Sequence, residues 1–479
     1  MKPVFNYAAT ALGLMGLGIT SCQPDLDDPK SSAGQADFTT YLAVGNSLTA
    51  GFSDNGLYLE GQQNSYPSIL AQQFAKVGGG AFVQPLFPAA NANGSGYLSI
   101  TGFSASGTPT LGPVAANAAV GLGADNATPL LVKYTGADNQ NLGVPGIRVA
   151  DVTTPGYGLN NPLGFNPYFE RLLGGSSSLF SYQQYVQERV TTLKPTFFTN
   201  WLGNNDVLGY ATSGGTAPLT GVALFTTKYT AITDVLTAGG AKGLLATIPN
   251  VVNVPFFTTV PTATIMAQVQ SIPVPAANVA ALTAGLSLTP AQAATIRFGL
   301  FVTTSANTPV REATANDLLL LTASSVIGTP STTANPLPRG LGIVITGLAP
   351  AQAAGLALAA PPNPLANSLV LDAAEITSVQ NRTTELNTVI TNVANQKGLA
   401  LFDSNTFFRG VATNGLVVNG VSNTAAFVAG NLFSLDGVHP TPRGYAVIAN
   451  EMIKAINAKY GAAVPGVDAT AYRGVRFPQ

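Results

Sequence analysis

Apolar and polar positions along the chain keep two alternating rhythms. Short apolar, β-favouring runs such as "FTTYLAVGNS" (38–47) and "TFFTNWLG" (196–203) end in Gly/Asn/Ser turns and read as buried strands. Between them lie stretches with helical spacing. "SYPSILAQQFAKVGGG" (65–80) is stopped by glycines, and "LFSYQQYVQERVTTLKP" (179–195) sets Leu179, Tyr182, Val186 and Val190 on one face. A helix over about 220–238, the strand "GLLATIP" (243–249), the run "LVLDAAEI" (369–376), the helix "NRTTELNTVITNVANQKG" (381–398) and the strand "LALFD" (399–403) continue the alternation. In "TPRGYAVIANEMIKAIN" (441–457), Thr441 is placed as N-cap and Pro442 in the first turn, ahead of an apolar face of Tyr445, Ile448, Met452 and Ile456. Strands alternating with helices predict an α/β fold with a parallel sheet covered on both faces.

Two regions break the rhythm. Residues 79–135, rich in Gly, Ala, Asn and Thr, read as long loops or an insertion. Residues 254–365 are apolar but broken by prolines and read as an inserted cap. The cap holds a small echo, "LTPAQAA" at 288–294 and "LAPAQAA" at 348–354, and Thr289 with Gln292 has capping-box spacing. The run 340–360 is long enough to cross a membrane, but its glycines, Pro350 and Gln352 argue against a span.

Composition narrows the function classes. With 21 basic and 22 acidic residues the net charge is −1, and only 9% of residues are charged, against roughly a quarter in an average domain. No basic stripe suits a phosphate backbone, so nucleic acid is not an expected partner. Hydrophobic residues make up 46% of the chain, enough for a large core. The sole cysteine, Cys22, closes an N-terminal stretch with Lys2 at its start and an apolar run over 8–19, the layout of a secretory signal. Ile19-Thr20-Ser21-Cys22 resembles the lipobox of bacterial lipoproteins, which implies a leader over 1–22, lipid on Cys22 and a polar tether over 23–37. The implied place is the bacterial cell envelope, as an outer-membrane lipoprotein facing the periplasm or the surface. With Cys22 so used, no thiol is left for a disulfide, a nucleophile or a zinc cage, and a single histidine excludes an H-E-x-x-H site. No metal or cofactor is expected.

That lone imidazole, His439, sits in "LDGVHPTPRGY" (435–445). Three further segments, "VGNSLTAG" (44–51), "NLGVPG" (141–146) and "LGNNDV" (202–207), end predicted strands, where reactive groups of open parallel sheets collect. Together they offer a hydroxyl, a flexible backbone N–H, a side-chain amide, a carboxylate and an imidazole, the parts of an acyl-transfer site.

The blocks "GNSL", "NLGVPG", "GNND" and "DGVHP" resemble, in order, those of the SGNH (GDSL) hydrolases over roughly 38–250 and 366–460. The resemblance implies a three-layer α/β/α sandwich with a parallel sheet, flavodoxin-like in outline, carrying a large apolar insertion. It implies Ser47 as nucleophile, His439 as general base and Asp436 as its orienting carboxylate. The oxyanion hole would be the N–H groups of Ser47 and Gly146 with the amide of Asn205. The G-x-S-x-G elbow of the α/β-hydrolases is absent. One departure is Asn46, where the family carries aspartate; the acceptor oxygen is kept and the charge is lost. Ser47 and Asn205 precede 340–360 and His439 follows it, so a span there would split the triad across a bilayer. The blocks thus belong to one domain over 38–465, with insertions at 79–135 and 254–365 and a tail at 466–479. The implied activity is hydrolysis of a small-molecule or lipid ester, the apolar insertion favouring a hydrophobic one. The alternatives are a carbohydrate O-acyl esterase of the same fold and a non-catalytic surface-binding lipoprotein. No protein partner is indicated.

Overall fold

In the computed structural model, which describes residues 31–478 except 106, 123–128, 137, 159–164, 174–178, 305–309, 332–334 and 336, the apolar runs become five parallel strands. They are β1 (Tyr41–Gly45), β2 (Asn141–Gly143), β3 (Phe197–Trp201), β4 (Lys242–Ala246) and β5 (Ala400–Phe402), in the spatial order β5-β4-β3-β1-β2. Every residue of β1 and β3 is buried, as strands covered on both faces must be. The helices are α1 (Tyr66–Ala75), α2 (Tyr182–Leu193), α3 (Val222–Thr237), α4 (Ala373–Lys397) and α5 (Pro442–Tyr460). α1 and α5 pack together on one face, and α2, α3 and α4 on the other. The architecture is α/β with a parallel central sheet, compatible with three layers.

Local chemistry fixes the helix ends. Thr441 caps α5 by accepting from the Gly444 N–H, with Pro442 in the first turn. Ser181 and Gln184 form a capping box on α2, so the helix starts at Tyr182 and leaves Leu179 outside it, 67% exposed. The run 369–376 is only briefly a strand: Asp372 accepts from the Ala374 and Glu375 N–H groups and starts α4 at Ala373. The helix expected from 381 therefore begins eight residues earlier.

Chain order makes a crevice. From β1 the chain goes out to β2 on one side, then returns past β1 to β3, β4 and β5 on the other. The loops after β1 and β3 thus diverge at a topological switch point, where ligands of open α/β sheets lodge.

The two irregular regions are ordered where described. Within 79–135, Tyr97–Phe103 and Pro109–Val114 form a hairpin whose Ile100 packs with Leu435 and Val475. The region 254–365 has a hydrophobic core of its own, built on Phe298, Leu300, Leu341 and Ile343, around an antiparallel sheet of 297–302, 311–312 and 341–344. Residues 340–360 divide into the strand Leu341–Val344 and the helix Pro350–Ala359, and no single helix among the described residues is long and apolar enough to cross a membrane. The sequence echo is a physical pairing. Gln292 and Gln352 each accept their own helix-start N–H, from Thr289 (2.9 Å) and Ala349 (3.0 Å), and Gln292 donates to Gln352 at 3.0 Å.

Both ends of the domain are tied down. Ser32 pairs with Ala463 and the Gln35 N–H donates to the Tyr460 carbonyl, so the described part of the expected tether is docked. In the expected tail, Arg473 makes a two-pronged ion pair with Glu60, at 2.7 and 2.9 Å. Cys22 and the leader lie outside the described residues.

Candidate active site

β1 runs straight into a four-residue helix, Ser47–Ala50, whose cap is Asn46: its Oδ1 accepts from the Leu48 N–H at 3.0 Å. This short turn rests on the end of β2. A Cβ on Gly143 would stand 2.3 Å from the Ala50 nitrogen, so only glycine admits the approach. Ser47 is thereby set at the carboxyl end of β1.

Across the crevice, Asp436, Gly437, Val438 and His439 form the turn before α5. His439 Nε2 lies 2.9 Å from Ser47 Oγ, and His439 Nδ1 lies 2.9 Å from Asp436 Oδ2. With the carboxylate accepting at Nδ1, the neutral ring presents Nε2 as acceptor for the serine O–H. Asp436 also accepts the Val438 and His439 N–H groups at Oδ1, both at 2.8 Å, and the Asn55 N–H at Oδ2, 2.9 Å. Burial alone would raise its pKa, but the imidazole and these N–H donors outweigh burial and hold the carboxyl below its ordinary value.

Of the other predicted residues, Asn205 joins Ser47 and His439 in lining a cavity of about 40 Å³. Its Nδ2 donates to the Ile147 carbonyl at 2.9 Å, which leaves the second amide hydrogen available. Gly146 precedes that carbonyl in a loop with φ +82°; it is exposed and does not line the cavity. Asn46 is fully buried, and its Nδ2 has no hydrogen-bond partner among the described residues.

Several residues that hold the site carry no motif. Asp206 accepts from the Val149 (2.7 Å) and Ala150 (3.2 Å) N–H groups and so fastens the Gly146 loop. Burial pushes its pKa up to about 6, against the pull of the Thr220 hydroxyl and those two N–H donors. The turn Ser53-Asp54-Asn55-Gly56 is riveted to the histidine loop. The Ser53 hydroxyl donates to the Pro440 carbonyl (2.9 Å), the Asp54 N–H to Ser434 Oγ (2.9 Å), and the Leu435 N–H to Asp54 Oδ1 (3.1 Å). Asp54 Oδ2 takes the Tyr58 O–H at 2.7 Å, and the Phe52 ring lies 4.6 Å from the imidazole. The only sequence signal was the run Asp54-Asn55-Gly56: both non-glycine residues adopt positive φ, 52° and 60°, which Asp and Asn tolerate best.

The insertion touches the site at its root. The Phe256 N–H donates to the Gly437 carbonyl at 2.9 Å, and Leu321 packs against Gly437. The cavity beside Ser47 is walled by Leu48, Leu208, Val251 and Val438, and the insertion adds only its first residue, Val254. Among the described residues, no group of three or more His, Cys, Asp or Glu could hold a metal ion. No protein-family model matches the chain, and no curated protein does.

Two expectations follow. Because the fold holds Asp436 below its ordinary value, its ionised form stabilises the native state. That contribution is complete above the unfolded value of about 3.9 and is lost as pH falls through the lower folded value. Asp436→Asn should therefore cost about 1–3 kcal/mol in urea unfolding at pH 7, with the gap to the native protein closing below about pH 4. An equal gap at pH 3 and pH 7 would refute this account of the carboxylate. Asp54→Ala should cost a similar amount, about 1–3 kcal/mol. Hydrogen exchange should then accelerate at 52–56 and 434–440 while β1 and β3 stay protected; uniform acceleration would show that Asp54 supports the core instead.

Proposed function

We propose that this chain is a serine esterase of the SGNH (GDSL) type. The observation that carries the reading is the chain of two 2.9 Å contacts, Ser47 to His439 to Asp436, between residues 392 positions apart. A serine becomes a good nucleophile only beside a base that takes its proton, and the base needs a third group to fix its tautomer. In the proposed reaction Ser47 Oγ attacks the ester carbonyl while His439 Nε2 takes its proton. The ionised Asp436 stabilises the imidazolium formed. The tetrahedral oxyanion would be received by the Ser47 and Gly146 N–H groups and the free amide hydrogen of Asn205. His439 then protonates the departing alkoxide, leaving an acyl-serine. Water, deprotonated by His439, attacks that acyl-serine and releases the acid as the proton returns to Ser47. Asn46 keeps the capping acceptor of the family's aspartate, so the turn survives loss of the charge.

The cavity bears on substrate. About 40 Å³ holds three or four non-hydrogen atoms at roughly 10–15 Å³ each, room for an acetyl or propionyl group in the space nearest Ser47. This favours the short-chain O-acyl esterase, carbohydrate esters included, over the lipase. It also moves acyl choice from the body of the insertion to Leu208, Val251 and Val254. Lipid attachment at Cys22 and a place in the bacterial envelope belong to the same proposal.

Ser47→Ala and His439→Ala should each lower p-nitrophenyl ester hydrolysis about 10⁴-fold or more, and Ser47→Ala should abolish fluorophosphonate labelling. Labelling retained at another serine would displace Ser47 from its role. For acyl length, kcat/KM should peak at two or three carbons. Leu208→Ala should shift the peak to longer chains, gaining up to about fourfold per added methylene, or 0.8 kcal/mol. A native protein whose kcat/KM climbs steadily to octanoyl would overturn the short-acyl assignment.

A further inference from the structure

The site and the point where the chain enters the fold lie at opposite ends of α5. His439 and the cap Thr441 stand at its start. At its far end, Ser32 exchanges backbone hydrogen bonds with Ala463 (2.8 and 3.3 Å), and the Gln35 N–H donates to the Tyr460 carbonyl at 2.8 Å. Nineteen residues of helix separate the two ends by about 28 Å at 1.5 Å per residue. The sheet has the same polarity. Lys242, at the amino end of β4, donates through Nζ to the Gln35 carbonyl, and Thr196, just before β3, donates to the Thr40 carbonyl. The site is at the carboxyl ends of β1 and β3.

Nine residues lie between Cys22 and Ser32, ten steps along the chain. Fully extended they would span about 33–36 Å, but a flexible chain of that length has a root-mean-square reach of only about 16–19 Å. That is shorter than α5. To touch the bilayer with its site, the domain would have to turn over on a tether drawn nearly taut along its own flank.

We infer that the anchored protein presents its active site away from the bilayer that holds it, so its substrates are short-acyl esters borne in the aqueous phase and not esters lodged in the anchoring leaflet. The inference rests on the esterase reading and on lipid at Cys22. The opposing feature is the insertion's surface. It carries no charged residue over 254–296 or 340–365 and exposes Leu358 by 85%; lipid contact there would hold the domain to the bilayer by another face.

The test uses the full-length lipidated protein in phosphatidylcholine vesicles, with p-nitrophenyl acetate in solution or a fluorogenic acetyl ester fixed to a phospholipid headgroup in the same vesicles. A second form carries a 25-residue Gly/Ser segment between Lys30 and Ser31, raising the tether's reach to about 30–35 Å, beyond the length of α5. The lengthened tether should raise cleavage of the bilayer ester at least tenfold and leave the soluble ester unchanged. Equal cleavage of the bilayer ester by both forms overturns the inference and points to the insertion as a lipid-contact surface. No cleavage of the soluble ester removes the esterase premise, and a Cys22→Ser form that stays on vesicles removes the anchor premise. Either result also overturns the inference, and each is distinguishable from the first.

Discussion

The Asp436 carboxylate is the contact on which the site depends. A buried carboxylate is tolerated only where donors replace the water it gave up. Here four N–H groups do so: two from its own turn, one from the imidazole and one from Asn55. The donors from its own turn shape the backbone that aims His439. The ring N–H fixes which imidazole nitrogen faces Ser47. Asn55 belongs to a turn 381 residues earlier, so the same charge joins the β1 side of the crevice to the α5 side.

The same device recurs around it. Asp54 binds an N–H of the histidine loop and the Tyr58 hydroxyl, and Tyr58 in turn accepts from Arg473 of the C-terminal segment at 3.1 Å. Asp206 draws two N–H groups of the Gly146 loop toward the Asn205 turn. Each buried carboxylate gathers loops from distant parts of the chain and orients backbone that no apolar contact would orient. With only 9% charged residues, the protein places three of its acids in this role within one crevice. The cost is seen in the direction of their pKa values. Burial dominates at Asp54 and Asp206, which are raised, and only Asp436, beside the imidazole, is lowered.

What could be read from sequence follows from how local each feature is. Strands buried on both faces and helices with their own caps announce themselves within ten residues, so β1, β3 and α5 were legible to within a few residues, and α2 apart from its start, where Leu179 falls outside the helix. The capping box at Thr289 was legible for the same reason, and "LVLDAAEI" was misread because Asp372 caps a helix within an apolar run. Ser47, Asp436 and His439 were singled out by the resemblance of their blocks to those of a known family, and the fold brings the three within hydrogen-bond reach. Gly146 was legible as a flexible N–H but not as a residue standing outside the cavity wall. Asp54, Asp206 and Phe52 were not legible, since their roles exist only once segments hundreds of residues apart meet. The hairpin of 97–114 was hidden by its Gly and Thr content, which carries little periodicity; its order comes from packing Ile100 on Leu435.

The insertion shows why a long excursion between strand and helix leaves the crevice intact. Its cost in chain entropy grows only as the logarithm of its length, provided its ends are held together. They are held: Leu318–Leu319 pairs with Val370–Leu371, and Val260 bridges to Leu319, so entry, middle and exit meet in one small ladder. Above that ladder the segment buries Leu300, Val302 and Leu341 in a core of its own, while Val254, Phe257 and Leu320 join the main core below. Below it, the Phe256 N–H reaches the Gly437 carbonyl between Asp436 and His439. The insertion therefore meets the turn that carries His439 through this hydrogen bond and the packing of Leu321 on Gly437. Of the walls beside Ser47 the insertion supplies one, Val254, at its first position.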